Sequence, residues 1–68
     1  MAFPLGTLVV NFGITAKVVD HFKAADGQPS QQDGWPILRE MSADRRRFIG
    51  GKWLANPALC APATEAGR

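Results

Sequence analysis

The sequence predicts a small single-domain α+β fold: an N-terminal β-strand, or strand pair, packed by two or three short helices. Three observations carry that expectation. Apolar and polar residues alternate from Thr7 to Val18 with the period of a half-buried strand. Apolar residues then group at helical spacing twice, after Thr15 and after Pro36. The chain has 68 residues, a length that buries only about 60% of the unfolded surface and supports one modest core.

In the first segment Leu8, Val10, Phe12, Ile14, Ala16 and Val18 share one side. Thr7, Asn11, Gly13, Thr15 and Lys17 take the other, with Val9 the exception. A strand over residues 5–12 is expected to pass into a helix over residues 16–25. Thr15 would cap that helix, Val18, Val19, Phe22 and Ala25 would form its apolar face, and Gly27 would stop it. A strand that bends at Gly13 into a hairpin partner is the alternative. Residues 27–34 hold two glycines, a proline and no large apolar side chain, the composition of a loop.

Pro36 suits the first turn of a further helix, with Ile37, Leu38 and Met41 on one face. Ser42 is placed to cap a last helix running to about Ile49, with Asp44 in its first turn. The Gly50-Gly51 pair is expected to end it, and Asn56-Pro57 closes the segment from Lys52 to Ala55. One domain over residues 1–61 and a flexible tail over residues 62–68 complete the organisation.

Composition excludes several functional classes. Cys60 is the only cysteine and His21 the only histidine, so neither an internal disulfide nor a four-ligand zinc site of Cys and His is available, and no cofactor is expected. Asp20 and His21 are adjacent and diverge, which makes no catalytic pair, and Cys60 has no evident base. A non-enzymatic protein is the expectation. The longest apolar stretch, residues 3–19, is broken by Gly6, Thr7, Asn11, Gly13, Thr15 and Lys17, so no membrane span or signal peptide is expected. A free cysteine then points to a reducing, cytoplasmic setting.

Charge is the informative feature. The formal net charge is +2, and the positive residues gather in the second half. There Arg45, Arg46 and Arg47 run into Phe48 and Ile49, with Trp35 and Trp53 on either side. Guanidinium forks suit carboxylate and phosphate oxygens, and aromatic rings add stacking surface. The expected function is a protein-binding module: a regulator, inhibitor or accessory subunit that engages an acidic surface through Trp35, Arg39, Arg45, Arg46, Arg47 and Lys52. The bland alternative is a solvated helix face, with Glu40 and Asp44 pairing the arginines. A rival is nucleic-acid binding through a degenerate helix-turn-helix at residues 37–49. The string Asp44-Arg45-Arg46-Arg47-Phe48-Ile49 is also similar to the twin-arginine export motif. It sits two-thirds along the chain, and Lys52, Asn56 and Pro57 interrupt the apolar stretch after it. A lone N-terminal strand would leave open edges, which suggests that residues 5–12 pair with the same strand of a second copy, as a homodimer, or with a partner's sheet.

Overall fold

The computed structural model describes residues 3–25, 27 and 30–63. It contains five β-strands: β1 (Leu8–Asn11), β2 (Ile14–His21), β3 (Pro36–Met41), β4 (Phe48–Leu54) and β5 (Cys60–Pro62). A single 3-10 turn, Pro57–Leu59, is the only helical element among the described residues. All neighbours are antiparallel, and the sheet order is β4-β3-β2-β1-β5. The expected α+β architecture is therefore wrong; the protein is an all-antiparallel five-stranded sheet.

The departure from a strand-then-helix path begins at Gly13. Asn11 pairs with Ile14, so Phe12 and Gly13 alone make the turn, with φ of +52° and +78°. Two positive φ values define the turn whose twist matches paired strands, and they commit the chain to a hairpin there. The β-branched run Ile14, Thr15, Val18 and Val19 then continues as β2 instead of closing into a helix over 16–25. The turn also reverses the phase expected for the first strand. Val9 pairs with Ala16, an odd number with an even one, so Val9 and Asn11 face inward on β1 while Ala16 and Val18 do on β2.

The two later helices are replaced in the same way. Pro36, Leu38 and Met41 are buried along β3 while Arg39 is exposed, and β4 returns beside it. Residues 37–49 thus hold two strands and a turn, which removes the helix-turn-helix. Gly50 and Gly51 lie inside β4 and end nothing. Gly50 is required by crowding. A Cβ built there would stand 2.8 Å from Glu40 Oε1 and 2.9 Å from Glu40 Cβ, whereas one at Gly51 meets nothing within 4 Å.

The sheet is rolled around its core. Trp53 Nε1, on β4, donates to Asn11 Oδ1, on β1, at 3.1 Å. In a flat sheet those strands would lie three spacings apart, about 14 Å, so the strands must curl to bring them together. Asn11 Nδ2 donates in turn to Leu59 O at 3.1 Å, which ties the 3-10 turn to the same point. Inside the roll Val9, Ala16, Val18, Leu38 and Ala55 form the core, with Phe3, Trp53 and Cys60 packed against it. The core is small: each of its larger side chains contributes roughly 1.5–3 kcal/mol, and three of its five buried members are Val or Leu.

Both sides of β1 are occupied, by β2 and by β5, while Gly6 N donates to Val18 O and Val18 N to Thr7 O. The N-terminal strand therefore offers no edge to a second copy, and the homodimer through residues 5–12 loses its basis. Among the described residues the open edges belong to β4 and β5. Pro62 and Ala63, expected as the start of a tail, join the sheet: Pro62 pairs with Val9, and Ala63 N donates to Leu8 O at 2.9 Å. The remaining tail residues, 64–68, lie outside the described residues.

Candidate functional site

Register gathers three cations into one row. Lys17 on β2 pairs with Arg39 on β3, and Arg39 pairs with Lys52 on β4. Their strand neighbours Ala16, Val18, Leu38 and Trp53 turn into the core, so these three side chains stand on the outer face of the roll. Directly opposed side chains on a sheet have Cβ atoms about 4.5–5.5 Å apart, and like charges at that separation repel. The partners across from them are Leu8 and one another, so the register sets no carboxylate opposite any of the three.

Arg39 is the fixed member. Its Nε donates to Gly50 O at 3.0 Å, and its Cζ lies 4.6 Å from the centroid of the Phe48 ring. These two contacts place the guanidinium over the Phe48 ring, and among the described residues its other N–H donors make no hydrogen bond. A pre-set planar fork loses less freedom on meeting an oxyanion than a free side chain does.

Arg45, Arg46 and Arg47 belong to the turn between β3 and β4, beginning three residues beyond Ser42, with Ser42 itself about 10 Å along the strand from Arg39. Ser42 N donates to Arg47 O at 2.8 Å and Arg45 N to Ser42 O at 2.8 Å, closing the turn. Asp44 Oδ1 accepts from the Ser42 hydroxyl at 2.5 Å and from Arg46 N at 3.1 Å, while the Ser42 hydroxyl oxygen lies 3.3 Å and 3.4 Å from the N–H groups of Arg46 and Arg47. Ser42 and Asp44, expected to start a helix, organise this turn. The Ser42 hydroxyl, followed by the Arg46 N–H, holds the Asp44 carboxyl below its ordinary value. Among the described residues that carboxylate is bonded to hydroxyl and backbone groups, and not to the arginine side chains that the alternative reading paired with it. Arg46 and Arg47 are exposed; Arg45 is half-buried with φ of +61°, in the left-handed region.

The proposed contact residues divide accordingly. Arg39 and Lys52 come together, joined by Lys17 and Phe48, neither of which the sequence alone marks as part of the site. Arg45, Arg46 and Arg47 flank one end of the row. Trp35 stands at the far end of β3, seven residues from Ser42, about 23 Å along the strand. It is half-buried, and its backbone closes the 22–35 loop through Phe22 N to Trp35 O at 2.8 Å and Trp35 N to Gln32 O at 3.0 Å. The structure does not bring it to the arginines. The signal for Lys17 was present in its polar phase between Ala16 and Val18, but only the β2–β3 register places it beside Arg39.

The chemistry of the rest is plain. Burial pushes the Cys60 thiol up, and its Sγ lies 3.4 Å from Asn56 O, the setting of an unreactive thiol. His21 Nε2 is bound to Phe3 O. Among the described residues no three of His, Cys, Asp and Glu gather as metal ligands, and no helix is long and apolar enough to cross a membrane. The chain matches no family model, no curated protein and no solved structure.

Proposed function

We propose that this protein is a small non-enzymatic binding module, a regulator, inhibitor or accessory subunit, whose outer sheet face engages an acidic surface of a partner protein. One observation carries the reading: Lys17, Arg39 and Lys52 stand in a single cross-strand row with no carboxylate opposite them. A sheet gains nothing from such a row on its own, since each like-charged neighbour destabilises it by roughly 0.2–1 kcal/mol. An anionic partner converts that repulsion into attraction, and Arg46 and Arg47 extend the positive field beyond the row. The free cysteine fits a reducing cytoplasm.

Affinity capture from nuclease-treated host lysate tests the proposal, with the wild-type chain and a K17Q/R39Q/K52Q variant as baits. The reading expects a defined protein captured by the wild type and lost with the variant. Equal capture by both baits, or a partner released by the nuclease, contradicts it. The second outcome would assign the face to nucleic acid, for which binding falls steeply with salt.

A further inference from the structure

The sheet has two edges, and they differ. β5 is three residues long and ends at Pro62, which carries no N–H, so it offers little to a docking strand. β4 is seven residues long and contains no proline. Its free side can be assigned atom by atom. Ala55 N donates to Pro36 O at 3.0 Å, which makes that pair a hydrogen-bonded one. In an antiparallel ladder such pairs alternate, so Trp53, opposite Leu38, also turns its backbone to β3. Lys52 and Leu54 therefore turn their N–H and C=O groups away from the sheet. Toward the arginine turn the regular edge stops, because the register shifts between Arg39 and Met41 and the Arg39 Nε occupies the Gly50 carbonyl.

Side chains on this edge are equally specific. Lys52 and Leu54 both project to the outer face, two residues apart. Lys52 is the last cation of the row, and Leu54 is exposed beside Ile37, its partner on β3. A strand laid along this edge would meet a positive charge, then an aliphatic surface. Building on the acidic-partner reading above, we propose that the outer edge of β4 takes up an extended segment of the partner as a sixth strand. The segment carries a carboxylate opposite Lys52 and an aliphatic side chain opposite Leu54, hence two residues apart in its own sequence. About four backbone hydrogen bonds, two at each outward-facing residue, supply affinity, and the carboxylate-aliphatic pair supplies register.

The test is an amide-resolved NMR titration of the full chain with a capped heptapeptide, Glu-Thr-Val-Thr-Glu-Thr-Val. Two controls accompany it: the same peptide with Lys for Glu, and one N-methylated at alternate backbone positions. Strand addition moves the Lys52 and Leu54 amide protons downfield and protects them from exchange, and N-methylation abolishes both effects. Lys52→Glu, an exposed change, lowers affinity for the Glu peptide by about fivefold or more and improves binding of the Lys peptide. If the Glu peptide perturbs Lys17 and Arg39 while the Lys52 and Leu54 amides stay unprotected, the edge proposal fails and the acidic-face reading survives. If neither the peptide nor polyglutamate perturbs any resonance of this face, both fail.

Discussion

Adjacent glycines in β4 should respond oppositely to the same substitution. At Gly50 an alanine methyl would stand 2.8 Å from Glu40 Oε1 and 2.9 Å from Glu40 Cβ. The carboxylate end can swing aside; the Cβ cannot without moving the β3 backbone. Forcing an extra methyl into a filled space costs about 1–3 kcal/mol. A domain of this size has about 3–10 kcal/mol in total, and each kcal/mol moves its Tm by about 4–8 °C. Gly50→Ala is therefore expected to lower Tm by about 4–24 °C. At Gly51 nothing lies within 4 Å and φ is not in the left-handed region, so Ala fits and restricts the unfolded chain. Gly51→Ala is expected to gain about 0.4–1 kcal/mol, raising Tm by a few degrees. Thermal unfolding followed by far-ultraviolet circular dichroism reads both. Equal losses at the two positions, or no loss at Gly50, would refute the close approach of β3 and β4 at Glu40.

Three further outcomes rest on named contacts. Asn11→Ala strips partners from Trp53 Nε1 and Leu59 O and unpins the roll; urea unfolding should show a loss of about 2–4 kcal/mol, and a loss under about 0.5 kcal/mol would mean these bonds do not hold the sheet closed. Phe12 is 79% exposed at φ +52°, so Phe12→Asn should stabilise by about 1 kcal/mol without loss of core, read from the same denaturant curves. Asp44 has its folded carboxyl depressed below the ordinary value of 3.8, so its stabilising effect is complete above that value and is lost as pH falls through the lower, folded one. Asp44→Asn should flatten the acid limb of a stability-against-pH profile, and an unchanged limb would show that the Ser42-Asp44 bonds do not stabilise the turn.

Only the N-terminal strand was legible in the sequence, with the hairpin at Gly13 as an alternative; the segments that form β2, β3 and β4 were read largely as helices. The alternation holds in two pieces of opposite phase, with Val9 and Asn11 inward on β1 and Ala16 and Val18 inward on β2, and Gly13 marks the hairpin that the sequence allowed as an alternative. Helical spacing misled twice. Val18, Val19 and Phe22 fit a helix face as well as a strand with a bulge, and the β2–β3 register does slip between Val18 and Asp20. Pro36, Ser42 and Asp44 are helix starters by composition, yet the same residues serve at the head of a strand and in a tight turn. Short apolar runs cannot separate these cases without the tertiary partner. Within the site, Arg39 and Lys52 were read from charge alone. The addition of Lys17 and the removal of Trp35 both depend on which residues face one another across strands, information that lies in register and not in local sequence.

The most direct test is an NMR titration of the labelled chain with polyglutamate at low ionic strength, resolving the side-chain N–H of Arg39 and the amides of Lys17 and Lys52. The account predicts that these three shift together and saturate together, that added salt reverses the shifts, and that K17Q/R39Q/K52Q abolishes them. Shifts confined to the Arg45–Arg47 turn, or spread evenly over all surface cations, would contradict a binding face built on the cross-strand row.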